Sequence, residues 1–210
     1  MARRRSEDRR NAILAAATRV VASEGLGAAT AAIAKEAGVS NGSLFLYFET
    51  KAVLLNELYV VLKSEMGAAA MTGLPARGEI REQVHHMWTQ WLAWATTNPE
   101  KRRALAQLEV ADDITAESHH SVREAQRDMA ELLERSRAGG PMQDAPLGFV
   151  LTLISAMADA TMDALIREPA EADARSTVAF EAIWRVLAGP ATCHRPTSPV
   201  ITETTAKESS

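Results

Sequence analysis

At 210 residues and 22.7 kDa the chain suffices for one large domain or two small ones, far above the size at which a core needs disulfides or metals. With 47% hydrophobic and 24% charged residues, 8 Pro and 11 Gly, its composition excludes collagen-like and wholly disordered chains. Thirty-nine alanines against 5% aromatics lean the backbone to helix, so the expected fold class is all-α.

A lone cysteine, Cys193, excludes an intramolecular disulfide and a cysteine-based zinc cluster. Asn11, Thr18 and Arg19 interrupt the apolar stretch that a secretory signal would need after the basic start. The most apolar segment, 147–166, carries Asp159 and Asp163 and is short for a bilayer span. The expectation is a soluble, cytoplasmic protein with no membrane contact. Net charge is −4, divided unevenly: residues 1–51 hold eight of the 23 basic and five of the 27 acidic side chains, so they carry +3 and the remainder −7. That division suits a small cationic module facing a polyanion, joined to an acidic body.

In chain order, Ile13, Leu14, Ala17, Val20 and Val21 follow the helical period between Ser6, an N-cap with Glu7 and Asp8 behind it, and Gly25, a stop. A short helix over 30–37 ends at Gly38, and Ser40 caps a third helix running to Phe48. Thr50 caps a fourth helix from Lys51, with Val53, Leu54, Leu58, Val61 and Leu62 on one side. Past a loop at 73–78, helical periods recur over 79–97, 99–110, 115–138, 145–167 and 172–188, broken at Pro99, Gly139, Gly140, Pro141 and Pro169. From Gly189 the chain is rich in Pro, Thr and Ser and reads as a disordered tail. The expected domains are an arm and three-helix head at 1–50, a helical body at 51–188, and the tail at 189–210.

Two short helices joined by Ala37-Gly38-Val39-Ser40 have the size and glycine placement of a helix-turn-helix, whose second helix enters a major groove. The run from Thr30 to Leu54, TAAIAKEAGVSNGSLFLYFETKAVL, resembles the signature of TetR-family transcriptional regulators, T-x-x-I-A-x-x-A-G-V-S-x-G-x-L-Y-x-Y-F-x-[S/T]-K-x-x-L. The resemblance implies that Thr30 meets the DNA backbone, that Ser40, Asn41, Gly42, Ser43 and Leu44 open the recognition helix, and that Lys51 meets a phosphate. Phe45 stands where the family usually has Tyr, so a hydroxyl contact to phosphate is lost or passes to Tyr47; Ala31 stands where a longer polar side chain often reads a base. From the chemistry alone, Asn matches an adenine edge, Ser adapts to donors or acceptors, and Gly42 permits close approach. The recognition helix contains no Arg for bidentate guanine readout, so DNA shape should carry part of the specificity. Leu44 and Phe48, at i and i+4, should face the core. Arg3, Arg4 and Arg5 read either as an arm that adds phosphate or minor-groove contacts or as a solubilising tail.

In the body, His85, His86, His119 and His120 form adjacent pairs whose members point about 100° apart on a helix, without an H-E-x-x-H pattern, so no metal site or cofactor is expected. Trp88, Trp91 and Trp94, three apart, read as core or as the aromatic wall of a ligand cavity, with Met157 as a further candidate lining residue. Within 147–166, Leu147, Val150, Leu151, Ile154, Met157, Ala158, Thr161 and Leu165 make one apolar side, and Ala156, Ala160 and Ala164 a small-residue stripe. Two such faces need two partners, and Val178, Phe180, Ile183, Trp184 and Leu187 repeat the surplus in the final helix. By resemblance these two helices form a four-helix, two-fold dimer interface. The expected function is a ligand-responsive regulator, a repressor released from a palindromic double-stranded DNA operator by a small apolar or amphipathic effector. No nucleophile and base at a recognisable spacing argues for an enzyme. The alternative is a helical carrier or sensor that keeps a helix-turn-helix without binding an operator.

Overall fold

The computed structural model describes residues 2–189, and among them there are ten α-helices, one 3₁₀ turn and no strand. The helices are α1 (Ala2–Glu24), α2 (Thr30–Glu36), α3 (Asn41–Tyr47), α4 (Lys51–Met71), α5 (Ile80–Thr97), α6 (Pro99–Glu109), α7 (Ala116–Ala125), α8 (Arg127–Ser136), α9 (Leu147–Arg167) and α10 (Ala172–Ala188). The all-α expectation holds. The expected tail beyond Gly189 lies outside the described residues.

Local punctuation accounts for most boundaries. Gly38 adopts φ +68°, a left-handed conformation that glycine enters without a Cβ penalty, and this closes α2. Ser40 and Thr50 accept hydrogen bonds from Ser43 N and Val53 N at 3.1 Å, capping α3 and α4. Pro99 opens α6, where its missing N–H costs nothing. Gly189, at φ +77°, follows α10.

Three expectations need correction. The first helix begins at Ala2, not at a Ser6 cap, so Arg4 and Arg5 project from its first turns rather than from an extended arm. Val53 and Val61 point outward, because the stripe of α4 that meets its neighbours is Leu54, Leu55, Leu58, Tyr59, Leu62 and Met66. The helix expected over 115–138 is two helices broken at Gln126, whose side chain lies over Gly67 and donates to Lys63 O at 3.0 Å. A tertiary hook to α4, not a local breaker, ends α7.

Helices α1 to α3 pack as a head whose core includes Ile13, Ala17, Val21, Ile33, Leu44 and Phe48. The head is tied to the body through α1, which lies along α6 and α4. There Gln107 Nε2 donates to Val21 O at 3.0 Å, and the Arg10 guanidinium sits 5.3 Å from the Phe48 ring centroid while pairing with Glu57. In the body, α5 is central, flanked by α4, α8, α9 and α10, and α9 and α10 fold back on each other. Buried Arg137 fastens the connection into α9, donating from Nη1 to Gln143 O at 2.8 Å and Ala145 O at 2.7 Å. Helix α9 is long and apolar enough to cross a bilayer, yet Val150, Ile154, Ala158, Met162 and Leu165 are spent on the core of this chain.

Candidate nucleic-acid interface and effector cavity

Helix α3 is seven residues long and only one side of it is buried. Leu44 and Phe48, four apart, are both fully buried, as their spacing predicts. The other side is open: Ser40, Asn41, Gly42, Phe45 and Leu46 are exposed, and Ser43 and Tyr47 half-buried. Thr30 and Lys51, the first residues of α2 and α4, are half-buried beside it. The Ser40 hydroxyl is already engaged, accepting from Ser43 N and donating to Ser43 Oγ at 2.9 Å. Its role is to start the helix, and Asn41, Ser43 and Tyr47 are left as its polar side chains. One residue that the sequence pattern did not single out is Leu46, which is 84% exposed. A leucine held in water on a short helix is a signal that periodicity alone could have raised, since it falls two residues from the buried Leu44.

The tryptophans are core. Trp88, Trp91 and Trp94 are all buried, and each indole N–H is satisfied: by Ser176 O at 3.3 Å, Met66 Sδ at 3.0 Å and Glu65 Oε1 at 3.2 Å respectively. Neither they nor the half-buried Met157 line the larger cavities among the described residues, so the expected aromatic wall is corrected to a packed layer. The histidines are dispersed: His85 meets the Phe180 ring edge-on, His86 bonds Thr72 O at 2.8 Å, and His119 Nδ1 lies 3.1 Å from Tyr59 Oη. Among the described residues no group of three His, Cys, Asp or Glu is placed to hold a metal ion.

The most spacious cavity described is about 680 Å³, between α4, α6, α7 and α9, within the size range of small-molecule sites. Lys63, Arg102, Glu109, Arg123 and Asp159 carry charge on its walls, and Val122, Leu151 and Ala156 supply apolar surface. Lys63 pairs with Glu109. Arg102, only 5% exposed, reaches Asp159 at 3.1 Å and Asp163 at 3.5 Å through Nη2 alone, while its Nε is buried with no hydrogen-bond partner. Burial pushes the Asp159 carboxyl above the usual carboxylate range, and Glu109 adds to this while Arg102 and Lys63 oppose it. Burial likewise raises Tyr59, with Glu109 reinforcing and Arg123 opposing. The sequence did carry a signal for this site: Arg102 sits on the stripe of α6 shared with Leu105 and Leu108, where an apolar residue is the norm.

A three-helix head with a capped, outward-facing last helix, carried on a larger helical body, is the build of a helix-turn-helix DNA-binding regulator. The comparisons agree. Residues 13–58 match the family described as bacterial regulatory proteins, tetR family. A protein from Shewanella sp. PV-4 described as a TetR-family transcription regulator superposes with a TM-score of 0.79 at 25% identity, covering 86% of this chain and 98% of that one. A second from Marinobacter aquaeolei VT8 gives 0.75 at 21% identity, covering 89% and 98%. The transcriptional regulator FadR of Bacillus subtilis, solved in complex with stearoyl-CoA, shares the fold at 0.64 and 16% identity, covering 86% and 98%. Residues 13–58 therefore form a head of the tetR-family type, and over most of its length the chain is similar to a solved TetR-family transcription regulator.

Proposed function

We propose that the chain is a homodimeric, ligand-responsive repressor that holds a palindromic operator through two copies of α3 and leaves it when an effector occupies the body. The observation that carries the reading is the outward face of α3, which Leu44 and Phe48 anchor from behind. The head is residues 1–50 and the body 51–188. On DNA, Asn41 and Ser43 read base edges, Gly42 admits close approach, and Phe45 and Leu46 offer apolar contact to thymine methyls. Thr30, Tyr47 and Lys51 serve phosphates, and Ser40 presets the helix. Arg4 and Arg5, on the first turns of α1, add non-specific attraction.

Pairing of two chains uses α9 and α10. Val178 is 71% exposed and Phe149 54%, and the stripe of Ala160 and Ala164 with Ala174, Val178 and Ala182 leaves a shallow apolar groove between the two helices. A second copy of the same groove supplies the missing partner, isologously, and sets the two α3 helices about one DNA turn, roughly 34–36 Å, apart. An effector in the 680 Å³ cavity touches α4, α6, α7 and α9 together. From there α6 reaches α1 through Gln107 and Val21, and Asn56 of α4 clasps the α6–α7 loop at Asp113 O and Thr115 N and the first turn of α7 at Ser118 Oγ. Preference for a body geometry with the wrong α3 spacing lowers operator affinity by linkage. The stearoyl-CoA complex of B. subtilis FadR supports an amphipathic ligand for a body of this fold.

The test is a mobility-shift titration of DNA flanking the protein's own gene, with wild type and Val178→Asp. Wild type shifts the fragment at sub-micromolar concentration and sediments as a dimer; Val178→Asp sediments as a monomer and loses the specific shift. A wild type that binds small ligands but shifts no such DNA refutes the repressor reading and favours a carrier.

A further inference from the structure

The cavity reports on the chemistry of what fills it. A guanidinium offers five donors in a planar fork. In Arg102, 95% buried, only Nη2 is committed, to two carboxylates that are themselves partly open to solvent, and Nε is enclosed without an acceptor. Natural interiors rarely leave a charged donor in that state, because an unmade hydrogen bond costs the full desolvation of the group. The charges on the wall are also unequal. Lys63 is consumed by Glu109 and Arg102 by Asp159, which leaves Arg123 without an ion pair among the described residues and the wall one positive charge in excess. One added negative charge balances it. A phosphate or a coenzyme A thioester brings more than one, against Glu109 and Asp159. Beside the charged groups, Ala106, Val122, Leu151 and Ala156 offer apolar surface to a tail, while Tyr59, His119, Gln126, Thr152 and Ser155 add uncharged polar groups to the same wall.

We propose that the effector is a carboxylic acid with an apolar tail, its carboxylate accepting side-on from the Arg102 guanidinium in competition with Asp159. This rests on the effector reading above and names its ligand class. Two parallel N–H···O bonds from Nε and one Nη complete the fork and turn Arg102 off the Asp159 side of α9. Because Arg102 rides on α6, one and a half turns before Gln107, that rotation pulls on the 3.0 Å bond from Gln107 to Val21 O in the head.

The experiment is isothermal titration of the full chain with decanoate, 1-decanol, decylammonium and decanoyl-CoA, paired with operator release in a mobility shift. Decanoate should saturate at one per chain, at least tenfold tighter than decanol, with decylammonium not bound. Arg102→Met should weaken decanoate about ten- to hundredfold, the worth of a charge-assisted pair, and leave decanol unchanged. Should Arg102→Met fail to fold by thermal melting, Asp159→Asn keeps the test: with the competing charge gone, decanoate should bind several-fold tighter. Decanol binding as well as decanoate, decanoyl-CoA binding where decanoate does not, absence of any decanoate binding, or Asp159→Asn leaving decanoate affinity unchanged or weaker overturns the assignment. Release of DNA by decanol or decanoyl-CoA in those cases leaves the effector reading standing. Saturable, Arg102-dependent decanoate binding with no effect on the operator upholds the carboxylate site and refutes the effector reading instead.

Discussion

Leu44 and Leu46, two residues apart on α3, offer a sharp test because their surroundings are opposite: one is fully buried and the other 84% exposed. Leu44→Ala deletes buried methyls from the core to which the fully buried Ile33 and Phe48 also belong. With the cavity left behind, the expected loss is about 2–5 kcal/mol of unfolding free energy. Leu46→Ala removes a side chain already in water, so stability should stay within about 0.5 kcal/mol of wild type. On operator DNA the order reverses. If Leu46 goes from mostly exposed to covered against a thymine methyl, its burial contributes about 1.5–3 kcal/mol less whatever solvation it retains, so Leu46→Ala should weaken operator binding roughly 5- to 50-fold. Binding to random-sequence DNA should not change, since phosphate contacts supply it. Urea unfolding and fluorescence-anisotropy titrations on the two DNAs read both quantities. A Leu46→Ala protein that binds its operator like wild type, or that loses stability like Leu44→Ala, would show that α3 does not present this face to DNA.

Lys51→Ala should weaken binding to all duplexes alike and reduce the slope of log affinity against log salt by about one; an unchanged slope removes Lys51 from the phosphate contacts. Gly140→Ala should destabilise at the upper end of the roughly 1–3 kcal/mol overpacking range, because a Cβ there would lie 1.8 Å from Leu187 O, a backbone atom of α10 that cannot swing away; a melting temperature equal to wild type contradicts the packing of that loop on α10. The raised carboxyl of Asp159 has a pH consequence. The folded protein holds that proton more tightly than the unfolded chain does, so its contribution is present below the unfolded value and fades as pH rises through the folded one. As pH rises above the ordinary aspartate value of about 3.9, wild type should therefore lose stability relative to Asp159→Asn; a gain with rising pH reverses the sign and the burial argument with it.

How much was legible follows from the range of the forces. Capping and termination act over three or four residues, so Gly38, Ser40, Thr50 and Pro99 marked their boundaries in the linear chain, and the pattern from Thr30 to Leu54 placed the head. The inward turn of Leu44 and Phe48 followed from helical spacing alone. The expectations that failed concern neighbours distant along the chain. Whether Val53 faces the core depends on where α6 and α7 pass, and Gln126 breaks a helix because Lys63 O lies within reach of its amide. The tryptophans illustrate the same limit: three indoles on one side of α5 fit a cavity wall or a solid core equally well by periodicity, and Met66, Glu65 and Ser176 decided for the core by meeting their N–H groups.

Residue order alone therefore determined an all-α chain, a cationic head with its turn at Gly38, and an apolar surplus in the last two helices, since each depends on local hydrogen bonding or on composition. Only tertiary structure brought Arg102 on α6 within 3.1 Å of Asp159 on α9 and opened a cavity beside them. A side chain's burial, its partners and its free donors depend on elements that fold in from far along the chain, and no periodicity along a single helix encodes them.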